Sequence, residues 1–218
     1  MRVHHERGGL WATDLTPDEA PRFPLPALGA GPVLVGEAGA ETVAELAAAM
    51  DGWDPDDVGA RLAGGKRCFT ARVDGAIAAY GWVTPKGEWI GELDRAVRLD
   101  GDEAYIWQCA TLPAHQGQGL YKALLAAMLA ALAGEGCRRV WIGCALDNTP
   151  SVRAFAALGL RPVVMVGYWR LGGLSCFSLA GRPGADPACV AHACAALAAP
   201  HEVELGPLRL ALGSRPHE

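Results

Sequence analysis

The chain has 218 residues, of which 51% are apolar and 20% charged, and a net charge of −5. That balance supports a full hydrophobic core, argues against disorder, and disfavours nucleic acid as the main partner. No run reaches the roughly 20 apolar residues of a membrane helix, and the first ten residues, MRVHHERGGL, lack the apolar stretch of a signal peptide. Seven cysteines, an odd number without a CxxC, are those of a reducing compartment, so a soluble cytoplasmic protein is expected.

Residues 1–32 are rich in proline and glycine without sustained periodicity, and predict an N-terminal arm or a meandering first strand. His4 and His5 are adjacent, point apart in a strand and share no helical face, so they predict no metal site. A short strand (33–35) precedes an alanine-rich helix (41–50) with Val43, Leu46, Ala47 and Met50 on one face. Asp54 caps a second helix, with Pro55 at its first position and Gly64-Gly65 at its end. Strands 67–73 and 76–84 meet at Asp74-Gly75, a hairpin signal. Residues 85–103 read as a charged connection, six acids against three bases.

Residues 104–112 (AYIWQCATL) are apolar and aromatic, interrupted only by Gln108 and Thr111, as suits a strand buried on both faces. Pro113 stops it. The turn HQGQGLY (115–121) leads into a helix with Leu120, Leu124 and Met128 at helical spacing. Gly117 and Gly119 permit positive φ and close approach, and a helix's first turn carries unpartnered amides and partial positive charge. Such a turn can cradle a pyrophosphate. No G-K-[ST] follows, which disfavours a P-loop, and a third glycine is missing for a dinucleotide fingerprint. A strand (139–146), a helix (149–158) and strands near 162–170 and 174–180 follow, with Gly172-Gly173 between the last two. The end of the chain adds a linker, a helix (187–198) and a strand (203–211). Cys189, His192 and Cys194 do not share one helix face and lack a fourth ligand, so a packed or interfacial helix is expected there.

Two stretches carry a family resemblance. Gln116, Gly119 and Tyr121 fall on [RQ]-x-x-G-x-[GA], with tyrosine departing from the small last residue. Asn148, Ser151, Val152, Phe155, Gly159 and Leu160 fall on N-x-x-[AS]-[IV]-x-x-[YF]-x-x-x-G-F. Together, with a helix and a strand between them, they resemble the GNAT superfamily of acyl-CoA-dependent N-acetyltransferases over roughly residues 31–180. The resemblance implies an α/β (α+β) fold: a mixed, mostly antiparallel central sheet flanked by helices. Residues 1–180 would form that domain, arm included, and 181–218 an extension packed on the core or at an interface such as that of a homodimer.

The resemblance further implies acetyl-CoA as acyl-donor substrate, no metal, no membrane partner, and a primary amine of a small molecule or protein as acceptor. The acids of 85–103 would suit a cationic one. CoA contacts are expected at Thr111, Leu112, Gln116, Gly117, Gln118, Gly119, Leu120, Tyr121, Asn148, Ser151 and Phe155. An amide near Thr111 would polarise the thioester carbonyl. Glu92, Glu103 and His115 are candidate bases; Glu92 is preferred for its apolar surroundings, WIGEL (89–93). Many members of the family place an acid tyrosine where Phe155 stands here, so Tyr168, Tyr121 or water would substitute, or the thiolate leaves unprotonated. Cys109 and Cys144 read as buried small hydrophobes. The alternative is a catalytically weak acyl-CoA-binding sensor or assembly module, which Phe155 and the added tail would suit.

Overall fold

The computed structural model describes residues 4–16, 18, 23, 33–93, 95–171, 174–197, 203–205 and 208–212. Its strands make a mostly antiparallel sheet with helices packed on it. The chain divides into two compact units, one built from Met1–Thr13, Gly87–Leu99 and Trp141–Glu218, the other from Asp14–Lys86 and Asp100–Val140.

In the second unit, four strands run in the order β2 (Val33–Glu37), β3 (Arg67–Val73), β4 (Ala76–Thr84), β7 (Glu103–Thr111), each antiparallel to its neighbour. The hairpin β3–β4 turns at Asp74 (φ 50°) and Gly75 (φ 85°), the positive pair that matches strand twist. All of β4 after Ala76 is buried, because helices cover both its faces. On one side lie α1 (Val43–Ala49) and α2 (Pro55–Ala63), packing Leu46, Met50 and Val58 against Ile77, Tyr80 and Trp82. On the other lies α3 (Leu120–Gly134), whose Met128 approaches Gly81.

Helix α3 buries more than the stripe Leu120, Leu124, Met128: Leu125, Ala126, Leu129 and Leu132 are covered as well. A helix apolar on most sides is one the core encloses. Helix α2 starts as expected, with the Asp54 carboxylate accepting from the Asp56 amide at 2.8 Å.

In the first unit the strand order is β11 (Val203–Leu205), β12 (Leu208–Leu212), β10 (Leu174–Gly181), β9 (Arg161–Leu171), β1 (His4–Asp14), β8 (Arg139–Ala145), the last from Trp141 onward. Residues 4–14 are thus a long sheet strand, paired antiparallel with β9. Its register is set by a partner some 150 residues later, which no local periodicity reveals. The connection 85–103 departs from expectation: β5 (Gly87–Ile90) and β6 (Arg95–Arg98) pair as a two-stranded ribbon. The turn expected at Gly172-Gly173 lies outside the described residues.

The tail joins this unit. Strand β12 pairs with β10, and α5 (Pro187–Ala196) packs on β9 and β10. His192 stacks on Trp141 with ring centroids 5.7 Å apart. Arg95, only 5% exposed, places its guanidinium 3.7 Å over the Phe177 ring and donates from Nη1 to the Leu197 carbonyl at 2.5 Å. A cation at the carbonyl end of α5 suits the helix dipole. No described helix is long and apolar enough to cross a membrane.

Candidate active site

The glycine turn and the end of β7 are tied together within the second unit. After Thr111, a single turn (Pro113–His115) leads into Gln116. The Gln116 side chain returns to donate from Nε2 to the Thr111 carbonyl at 3.3 Å, and Gln118 donates to the Ala114 carbonyl at 3.4 Å. Gly117 and Gly119 sit at φ 75° and 80°, where a Cβ costs roughly 1–2 kcal/mol. A Cβ at Gly117 would meet nothing within 4 Å, so the turn opens outward. Gly119 occupies the N-cap of α3 without a side-chain cap on the helix's first amides. An anion is the fitting partner for that end of a 15-residue helix.

Strand β7 is not regular. Tyr80 pairs with Ala110 and Trp82 with Trp107, so Gln108 and Cys109 together oppose the single residue Gly81, a β-bulge. Gln108 has φ 43°, left-handed backbone inside a strand. The bulge shifts the side-chain alternation, and Trp107, Ala110 and Leu112 pack against the same cluster under α1 and α2. Gly81 is needed opposite it, since a Cβ there would come 2.6 Å from Cys109 Sγ.

Gln108 is held from α2. Arg61 Nη1 donates to Gln108 Oε1 at 2.6 Å, and its guanidinium lies 3.8 Å from the Trp53 ring centroid and 4.7 Å from that of Trp107. Neither Arg61 nor the tryptophans were among the expected site residues. The one local signal is a glutamine inside an otherwise apolar strand.

Other expected residues have definite places. Leu112 is half-buried, its amide donating to the Ala78 carbonyl. Thr111 Oγ1 is buried without a hydrogen-bond partner. Glu103 is 1% exposed and accepts from Arg138 at 3.1 Å, which makes it an ion-pair carboxylate at the start of β7. His115 is half-buried. Burial pushes the Cys109 and Cys68 thiols up to about 12 and the Cys144 thiol up to about 11, so none is a ready thiolate at neutral pH.

In the first unit, Asn148 caps α4 (Thr149–Ala157), its Oδ1 accepting from the Ser151 amide at 3.3 Å, and Ser151 is buried. Phe155 is fully buried and packs on Trp11 with centroids 5.3 Å apart. Tyr168 is 3% exposed on β9, in register with Phe177. Glu92 lies in the single turn Gly91–Leu93 between β5 and β6.

Solved structures share this fold. One is a GNAT-family acetyltransferase from Novosphingobium aromaticivorans DSM 12444 (18% identity, TM-score 0.51, 83% of this chain and 67% of that one). Another is a GCN5-related N-acetyltransferase from Kribbella flavida (21%, TM-score 0.52, 78% and 61%). A tandem GNAT protein from the clavulanic acid biosynthesis pathway matches at 19%, TM-score 0.52, over 83% and 56%. This chain thus spans about half to two thirds of those structures' lengths. No curated protein matches the sequence. The profile of the acetyltransferase (GNAT) family matches residues 39–160, more than half of the chain and inclusive of both glycine turn and Asn148 helix. The chain belongs to the GNAT family of acetyltransferases.

Proposed function

We propose that the protein moves an acetyl or other short acyl group from CoA to a primary amine by direct attack. The observation that carries this reading is the turn Gln116–Tyr121: two left-handed glycines, Gly117 facing open space and Gly119 at the N-cap of α3 without a side-chain cap, tied by Gln116 to the end of the bulged strand. In the proposal, amides from Gln116 through Tyr121 hold the CoA pyrophosphate, and the strand end at Thr111 and Leu112 carries the pantetheine arm. Asn148, Ser151 and Phe155 are proposed as further CoA contacts on the family pattern.

The chemistry then follows. The amine's lone pair adds to the thioester carbonyl carbon, while a backbone amide near Thr111 stabilises the developing oxyanion. The C–S bond breaks and the sulfur leaves with its electron pair. The proton shed by the nitrogen goes to Glu92, the proposed base, or to water. Tyr168 is the proposed acid for the thiolate, which at a pKa near 8.5 also departs unaided. The raised thiols of Cys109 and Cys68 support direct transfer over an acyl-cysteine route. Before giving up its proton the acceptor is cationic at its ammonium.

The test is release of free CoA thiol from acetyl-CoA with a broad amine panel. Acceptor-dependent release supports the enzyme. Tight acetyl-CoA binding with no release for any amine would instead support the sensor reading.

A further inference from the structure

The cluster around the β7 bulge has a chemistry that acyl-CoA does not need. Arg61 on α2 and Lys66 just beyond it both stand over the Trp107 ring, with Arg61 Cζ 4.7 Å and Lys66 Nζ 4.9 Å from its centroid. Trp53, before α2, stacks on Arg61 at 3.8 Å, and Trp82 lies beneath at 5.3 Å. Arg61 can only donate, so the Gln108 amide must turn its oxygen toward Arg61 and present its NH₂ group elsewhere. The floor adds donors too, since Trp82 Nε1 and Trp107 Nε1 are buried without a hydrogen-bond partner.

We infer that this cluster recognises a carboxylate on the acyl acceptor, making the substrate an amine of the amino-acid class and not a simple amine or polyamine. The inference rests on acyl transfer to an amine beside Thr111. Three features support it. First, two cations stand over one aromatic ring, so an anion that reaches this face meets two positive charges. Second, a guanidinium in contact with the Trp53 and Trp107 rings and bonded to Gln108 is held in one orientation before a ligand arrives, which preserves affinity, and its planar fork matches a carboxylate. Third, Gln108 lies three residues before Thr111 on the same strand, roughly 10 Å along it. That is the reach of a compact amino acid together with a hydrogen bond at each end.

The experiment compares L-amino acids with their C-terminal amides as acceptors, using acetyl-CoA and the wild type, Arg61→Gln, Arg61→Lys and Lys66→Gln. The best amino acid should exceed its amide at least tenfold in kcat/KM, mostly through KM. Arg61→Gln should reduce that preference to within about twofold and leave the KM for acetyl-CoA unchanged, while Arg61→Lys keeps part of it. Equal use of acid and amide by the wild type, or a preference that survives Arg61→Gln, would overturn the inference. Should Arg61→Gln fail to fold by circular dichroism, Lys66→Gln decides: a preference reduced at least threefold supports the site, and an unchanged one rejects it.

If no amine releases CoA from the wild type, the acyl-transfer reading has failed, and binding then decides the carboxylate site by itself. Tryptophan emission titrated with the same acid–amide pairs should respond to acids and lose that response in Arg61→Gln. A response equal for acids and amides, or no response to either, rejects the site.

Discussion

Arg61 donates a 2.6 Å hydrogen bond to the side-chain oxygen of Gln108, a residue with φ 43° in the middle of a strand. Left-handed backbone costs a non-glycine residue roughly 1–2 kcal/mol, and a hydrogen bond to a charged group returns roughly 1.5–3 kcal/mol. The bond therefore suffices to hold the bulge, and with it the face on which Trp107 and Ala110 both lie. Gln108→Ala keeps the strained φ and loses the bond, so it should lower unfolding free energy by about 1.5–3 kcal/mol in urea. Gln108→Gly also loses the bond but tolerates the φ, and should be more stable than the alanine variant by about 1 kcal/mol. A glycine variant no better than alanine would show that the φ is not a strain the bond offsets.

Acyl-CoA binding should depend on Gly119. At φ 80° and the N-cap of α3, Gly119→Glu introduces a strained Cβ and a negative charge where a phosphate is proposed. Acetyl-CoA affinity should drop at least tenfold by calorimetry on the folded variant. Undiminished affinity would remove the turn from the binding site.

The surface ion pairs give stability a defined acid limb. Arg67 holds the Glu37 carboxyl below its ordinary value, Arg72 does so for Glu45, and Arg138 for Asp102, each chiefly through side-chain hydrogen bonds. A depressed carboxylate contributes stability that is complete above its unfolded pKa and vanishes as pH falls through the folded one. The urea midpoint should thus be flat above about pH 5 and decline from about pH 5 toward pH 3. Arg67→Met should flatten part of that decline, because it removes the hydrogen bond that lowers Glu37. An identical decline in the variant would assign the acid limb to other groups.

The tail should be part of the folding unit. Arg95→Ala removes the cation that spans Phe177 and the Leu197 carbonyl, and should cost about 2 kcal/mol. For a chain of this size that is a fall in Tm of about 4–8 °C. Deletion of 184–218 uncovers the faces of β9 and β10 that α5 packs against, and should produce a larger fall or a change of oligomeric state by light scattering. A truncated chain with the wild-type Tm and mass would make the tail an appendage.

Phe155 should resist becoming an acid. Its ring is fully buried on Trp11, so the hydroxyl of Phe155→Tyr would lack water and should destabilise by roughly 1–3 kcal/mol. No rate gain is expected, and the pH–rate profile should rise with amine deprotonation as in the wild type. A descending limb near pH 9–10 in the wild type that disappears in Tyr168→Phe would assign the acid to Tyr168. Its disappearance in Tyr121→Phe would point to that residue instead.

Sequence alone determined the parts of this protein that are written in short-range chemistry. Asp74-Gly75 sets a hairpin because two adjacent residues take positive φ. Asp54 and Asn148 start helices because a side-chain oxygen reaches an amide two or three residues on. Gln116, Gly117 and Gly119 mark the turn because few other residues allow it, and in order with the Asn148 helix they carry the family. Tertiary structure decided what depends on partners far along the chain. Residues 4–14 became a strand through β9, and the charged stretch after Lys86 became a ribbon through pairing of β5 with β6. The bulge at Gln108 exists because Gly81 yields room and Arg61, 47 residues earlier, supplies the bond. Trp53, Arg61, Trp82 and Trp107 come from separate stretches with no shared spacing. Only the packing of α2 on β4 and β7 makes them one cluster, since cation–π contact acts through space and leaves no period in the sequence.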